Sequence, residues 1–143
     1  MNRLSKTLTI LMLMAFLLSA CAVKNVQPPN LINMANPAST NCEKVGGKVE
    51  IKTRPDGGEY GVCVFSDNRQ CEEWALYRGE CPSGGVEITG LVTEAAVFCA
   101  ISGGEYTATG NIGASDEQGT CKLKNDKVCD AQDYYSGKCS ANE

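Results

Sequence analysis

The chain contains no histidine. That removes the commonest general base and the commonest protein metal ligand. Basic clusters are missing as well: 13 lysines and arginines face 17 acidic residues, for a formal charge of −4. Nucleic acid and anionic lipid surfaces are therefore poor partners. There is no C-x-x-C motif, which argues against a thiol-redox centre. The close cysteine pairs of structural zinc sites are absent too, so no metal and no cofactor is expected. After residue 20 no stretch is apolar enough to span a membrane.

Cysteine, by contrast, is abundant, with nine in 143 residues. Cys42, Cys63, Cys71 and Cys81 are spaced C-x20-C-x7-C-x9-C. Cys99, Cys121, Cys129 and Cys139 follow as C-x21-C-x7-C-x9-C. Each set has a glycine pair after its first cysteine (Gly46-Gly47, Gly103-Gly104) and a glycine two residues before its last (Gly79, Gly137). Two copies of one module are written in tandem. A module of about 46 residues buries too little apolar surface to offset its chain entropy and needs covalent staples. Two disulfides per copy, each worth roughly 2–4 kcal/mol, supply them. Such bonds persist in oxidising compartments, so the chain is expected to be exported.

The ninth cysteine, Cys21, has a separate explanation. Arg3 and Lys6 precede an apolar run at 8–18, the layout of a signal peptide. Leu18-Ser19-Ala20-Cys21 then resembles the lipobox of bacterial lipoproteins, in which Cys21 becomes the acylated N-terminus. Acyl chains at about 0.8 kcal/mol per buried CH₂ give stable membrane attachment. Loss of Arg3 and Lys6 takes the net charge from −4 to −6. Alanine at position 22 resembles the sorting signal for the outer membrane, facing the periplasm. Residues 21–35, with Pro28-Pro29 and no apolar period, read as an acylated flexible tether. The expected organisation is a signal peptide at 1–20, that tether, module 1 at 36–81, a linker at 82–92 and module 2 at 93–139.

Reading the copies against each other gives the local structure. Asn36 and Thr93 are N-caps, the first followed by proline at the opening helical position. Those helices should stop at the glycine pairs. Val49 and Ile51 alternate with Lys48, Glu50 and Lys52 as one strand of a hairpin. On the return strand Gly61, Cys63 and Phe65 share a face, matched by Gly119, Cys121 and Leu123. The other face has Val62 and Val64 in copy one but Thr120 and Lys122 in copy two, so the cysteine face is expected to be the buried one. A last short helix is expected from Cys71 to Gly79, and from Cys129 to Gly137. The fold class is therefore α+β: two tandem disulfide-stapled modules, each helix–β-hairpin–helix. If Cys71 opens a helix, it cannot reach Cys81. Two pairings remain, Cys42–Cys71 with Cys63–Cys81, or Cys42–Cys81 with Cys63–Cys71, and the first is preferred. In the linker, Val86, Ile88 and Val92 are candidates to pack between the copies.

Asn36-Pro37-Ala38-Ser39, Asn41-Cys42, Gly46-Gly47, Gly61-Val62-Cys63, Cys71-Glu72-Glu73-Trp74-Ala75-Leu76 and Gly79-Glu80-Cys81 together resemble the domain-of-unknown-function 333 family. The second repeat looks like a diverged copy of it. The resemblance implies a small bacterial envelope lipoprotein; it implies no reaction and no catalytic residues. Family members often carry a hemolysin label, which comes without a mechanism.

Glu72 and Glu73 are not expected to act as a pair, because adjacent helical positions point about 100° apart. Trp74 aligns with Gln132, so burial there is not obligatory for the module. Trp74 and Tyr77 are the candidate binding residues, an aromatic patch of the type found at hot spots. The expected function is non-enzymatic: a lipid-anchored periplasmic module binding a protein or cell-wall ligand. Alternatives are a protease-inhibitor-like module acting through loops 53–59 or 66–70, and a hemolysin-type toxin on the family label alone.

Overall fold

The computed structural model describes residues 36–140, which fall within one compact unit; the apolar run 8–18, Cys21 and the tether lie outside the described residues. The first copy builds α1 (Pro37–Lys44), β1 (Lys48–Thr53), β2 (Glu59–Val64), β3 (Arg69–Glu72) and α2 (Glu73–Tyr77). The connection contributes β4 (Val86–Glu87). The second copy repeats the order with α3 (Glu94–Ile101), β5 (Glu105–Gly110), β6 (Gln118–Lys122), β7 (Val128–Asp130) and α4 (Ala131–Tyr135). The class is α+β, as the repeats predict. The strands form two antiparallel meanders, β1-β2-β3-β4 and β5-β6-β7.

Both leading helices begin as their caps dictate. The Asn36 side chain accepts from the Ala38 N–H at 3.0 Å, and Thr93 Oγ1 accepts from the Ala96 N–H at 3.1 Å. The glycine pairs then have two separate jobs. Gly46 takes the left-handed conformation, φ +87°, that ends α1. Gly47 has no room for a side chain: a Cβ there would strike Cys63 Sγ and lie 2.9 Å from Cys42 Sγ. Gly104 stands in the same way over Cys99 and Cys121.

The segment after the hairpin departs from expectation, and with it the disulfide pairing. Cys71 does not open a helix. It lies on a third strand, in register with Cys63, as Cys129 is with Cys121. Extended structure wins because residues 70–72 pair with the hairpin's return strand: Val64 with Gln70, Cys63 with Cys71 and Val62 with Glu72. The second copy repeats this pairing on β6, and in the first copy Val86 adds a partner on the other side. The helix starts only at Glu73, where Glu72 caps it by accepting from the Trp74 and Ala75 N–H groups at 3.0 and 2.7 Å. After five residues Gly79 turns the chain back, and the Cys81 N–H reaches the Ala75 carbonyl at 3.1 Å. A continuous helix would hold residues 71 and 81 about 15 Å apart; here their Cα atoms are 5.9 Å apart and the cysteines are bonded. The bridges are Cys42–Cys63, Cys71–Cys81, Cys99–Cys121 and Cys129–Cys139, in place of either expected pairing. One bridge in each copy ties the leading helix to the sheet. The other closes the last helical turn.

Cys42, Cys63, Cys71 and Cys81 pack with Ala75 and Leu76 as the first core, and Cys99, Cys121, Cys129 and Leu123 as its counterpart. The cysteine face is buried, yet it is not the only buried face. Val62 is fully buried on the reverse side of β2, against Val97 and Ile101 of α3. Helix α3 therefore serves both copies: Cys99 joins its own sheet while Val97 and Ile101 cover the back of the other. This explains why α3 is buried at Ala95, Ala96, Val97, Phe98, Cys99 and Ile101, whereas α1 buries only Ala38 and Cys42. It also explains Val62 and Val64 against Thr120 and Lys122, since among the described residues α3 covers the back of the first sheet and Val62 packs on it. Val86 and Ile88 join that seam as expected, but Val92 is 43% exposed. Ile51 is 62% exposed rather than packed beside Val49.

Candidate functional site

Where β2 passes the start of α2, the surface opens into a cleft of about 460 Å³. Its first-copy wall is Glu59-Tyr60-Gly61 from β2, Glu72 from the end of β3 and Glu73-Trp74 from α2, with Ile51 and Arg54 from the edge hairpin and Arg78 beyond α2. The second copy closes it with Phe98, Ser102 and Tyr134. A recess of about 480 Å³ lies at the same place in the second copy, lined by Glu117-Gln118-Gly119 and Asp130-Ala131-Gln132. All six positions are 58 residues on from their first-copy equivalents. The recess is a property of the module, but its chemistry is not. Tyrosine, glutamate and tryptophan at positions 60, 73 and 74 become glutamine, alanine and glutamine.

Glu73 forms the floor. Its carboxylate is buried, accepting from Asn36 Nδ2 at 2.7 Å and Ser39 Oγ at 2.6 Å. Charge at that depth is tolerated only when hydrogen-bonded. It occupies space left by Gly61, where a Cβ would fall 2.7 Å from Glu73 Oε2. In the second copy the ring of Tyr106 fills the equivalent space beside Gly119, and its hydroxyl donates to Glu117 Oε1 at 2.9 Å. Burial and that carboxylate push the Tyr106 hydroxyl up to about 12. Glu72 and Glu73 diverge, one capping α2 and the other bonded beneath it, so they do not form a carboxylate pair. Burial pushes the Glu72 carboxyl above its ordinary value.

Trp74 is 39% exposed and meets Tyr77 edge-on, ring centroids 5.8 Å apart at 86°. The pair expected from sequence is thus in contact, but only Trp74 reaches the cleft. Tyr60, which sequence reasoning passed over, packs edge-on against Phe98 at 5.1 Å. Phe98 in turn meets Tyr134 at 5.2 Å and Tyr135 at 5.4 Å. Burial, with Tyr135 close by, lifts the Tyr60 hydroxyl well above the ordinary tyrosine value, and burial raises Tyr134. Two cations flank the cleft. Arg78 is held bidentately by Glu80 at 3.0 and 2.7 Å. Arg54 lies 3.4 Å from Asp56, and its Nε is buried with no partner.

The signal for the floor was present in the two copies themselves. Asn36, Ser39 and Glu73 all change together, to Thr93, Ala96 and Ala131. Joint replacement of a donor pair and a carboxylate is what a shared network leaves behind. Arg54, Tyr134 and Phe98 could not have been found that way, because they come together only when α3 docks.

A family profile described as "Domain of unknown function (DUF333)" matches the chain twice, at residues 33–80 and 90–138. The chain is similar to the uncharacterized protein YdbJ of Escherichia coli (strain K12), 31% identical over 77 residues, which is 48% of this chain and 88% of the relative. It is also similar to the uncharacterized protein YoaF of the same strain, 38% identical over 58 residues, 41% of this chain and 67% of that one. YoaF of Shigella flexneri matches to the same extent. No solved structure matches. With both profile matches falling on the two stapled modules, the chain belongs to the DUF333 family, as a tandem two-copy member.

Proposed function

We propose that this is a non-enzymatic binding protein of the bacterial envelope, lipid-anchored at Cys21, with the cleft between its copies as the binding site. The observation that carries the reading is the unequal furnishing of two equivalent recesses. The module forms the cavity twice, and of the two only the first-copy recess has an aromatic platform in Trp74, a second aromatic wall in Phe98 and Tyr134, and two arginines. Concave, partly apolar sites with a few placed polar groups are the usual form of ligand sites. Four disulfides support export to an oxidising compartment. The lipobox at 18–21 supports anchorage there, outer membrane by the residue at 22. Among the described residues no helix is long and apolar enough to cross a membrane.

The protease-inhibitor alternative has less support. Such a loop must project, whereas hairpin 53–59 leans on the second copy: Asp56 Oδ2 lies 2.7 Å from where a Cβ on Gly137 would stand. Affinity recovery from oxidised envelope extract, comparing the native chain with Trp74→Ala, tests the binding reading. Selective loss of a bound species from Trp74→Ala is expected; identical recovery would remove the cleft from consideration. Intact mass of membrane-extracted protein tests the anchor, which requires the added mass of acyl chains at Cys21.

A further inference from the structure

The first sheet ends at β1 with an open edge. β1 runs for six residues without a bulge or a proline, and among the described residues no strand lies on its outer side. The other three sheet edges are blunted: β4 has two residues, β7 has three, and β5 is broken by a register shift between Ala108 and Gly110. The Arg54 N–H donates to the Gly58 carbonyl at 2.8 Å, in the same register as the rest of the hairpin. By the alternation of an antiparallel ladder, Lys48, Glu50 and Lys52 then bond to β2, while Val49, Ile51 and Thr53 turn their backbone groups outward.

We propose that this edge pairs with β1 of a second copy of the chain, antiparallel about a two-fold axis centred on Ile51. Lysines on an edge ordinarily repel an incoming strand. Here a glutamate stands between two of them, and the two-fold makes the pattern self-complementary. It sets Ile51 against Ile51 and Glu50 against Lys52 twice over, with Val49 facing Thr53. The side chain covered at the centre is Ile51, which is 62% exposed in the single chain. Centring on Val49 would also oppose Lys48 and Glu50, but leaves only three strand residues to overlap. Centring on Thr53 would set Lys52 against Arg54. In the chosen register Lys48 faces Arg54, the one like-signed pair, and Asp56 lies 3.4 Å from Arg54 to offset it. Lys52 lies 3.8 Å from Glu94 of its own chain, a loose exposed contact that leaves its charge available. At the positions of Glu50, Ile51 and Lys52 the second copy has Thr107, Ala108 and Thr109, with neither charge nor bulk, so the edge is peculiar to the first. Ile51 also lines the cleft. The pairing therefore sets the clefts of two chains beside each other on one face of a continuous sheet, four strands from each chain. It does not depend on what the cleft binds.

Sedimentation equilibrium of the full oxidised protein in mild, density-matched detergent tests the pairing. A strand-edge contact is smaller than a standard interface, so dimerisation half complete on the order of 100 µM is expected. Glu50→Lys and Lys52→Glu each set like charges against each other, and each alone should associate at least tenfold more weakly. An equimolar mixture of the two variants restores opposite charges at both contacts and should associate as the native chain does. Thr107→Lys, at the matching place on β5, should change nothing. Circular dichroism confirms that each variant is folded. A native chain still monomeric at roughly 1 mM overturns the proposal. So does undiminished association of folded Glu50→Lys or Lys52→Glu, a mixture that does not recover, or equal weakening by Thr107→Lys.

Discussion

Replacing Ile101 with alanine tests whether the two copies are one folding unit. Ile101 is 0% accessible, wedged with Val97 against Val62 of the other copy's sheet. Its first-copy equivalent, Lys44, is exposed, so nothing in the module itself demands an apolar residue there. Truncation removes three carbons, about 2.4 kcal/mol at about 0.8 per CH₂. The cavity left between two stapled sheets cannot collapse far, which brings the expected loss to about 3 kcal/mol, within the usual range for such changes. With a urea m-value of about 2 kcal/mol/M, the midpoint falls by about 1.5 M. The assay is urea unfolding with disulfides intact, read by Trp74 emission for the first copy and far-UV circular dichroism for both. Native protein should unfold in one coincident transition, and Ile101→Ala should move both signals together. If the Trp74 signal stays in place while circular dichroism shifts, the copies are separate domains and the shared role of α3 is refuted.

Other outcomes follow from particular contacts. Gly47→Ala puts a methyl into Cys63 Sγ and 2.9 Å from Cys42 Sγ; overpacking of about 1–3 kcal/mol is expected, with a lowered yield of oxidised protein on non-reducing gels. Glu73→Ala leaves Asn36 Nδ2 and Ser39 Oγ without their acceptor, so a loss of about 1–3 kcal/mol is expected in chemical denaturation, partly restored in Glu73→Gln. Ultraviolet titration should show Tyr60, Tyr106 and Tyr134 ionising late, Tyr106 near 12. The unfolded chain sheds those protons near pH 10, whereas the folded chain still holds them, so stability is full below pH 10 and falls as pH rises above it. Tyr106→Phe should flatten part of that fall, and an unchanged slope would show that the Tyr106 hydroxyl does not ionise late.

The repeat, its caps and its glycine terminators were legible because each is set by short-range chemistry. Asn36, Gly46 and Gly47 act on neighbours within a few residues, and the spacing of eight cysteines fixes the duplication. The disulfide partners were not legible. They turn on whether residues 69–72 are strand or helix, and that is decided by pairing with β2 across the sheet, as β7 pairs with β6 in the second copy. The reverse face of the first sheet was misjudged because its cover comes from elsewhere in the chain: Val62 and Val64 differ from Thr120 and Lys122 because of α3, a helix belonging to the other copy. Trp74 and Tyr77 could be picked out as a local pair. Arg54, Tyr60, Phe98 and Tyr134 share a wall only through tertiary docking.

Disulfide mapping by mass spectrometry tests the central claim most directly, that each copy is stapled within itself, leading helix to sheet and third strand to last turn. Digestion of unreduced protein after lysine, arginine and glutamate separates all eight cysteines of the repeats. The expected linked peptides join Cys42 to Cys63, Cys71 to Cys81, Cys99 to Cys121 and Cys129 to Cys139. A bridge between the copies, a bridge to Cys21, or the pairing of Cys42 with Cys71 would contradict it.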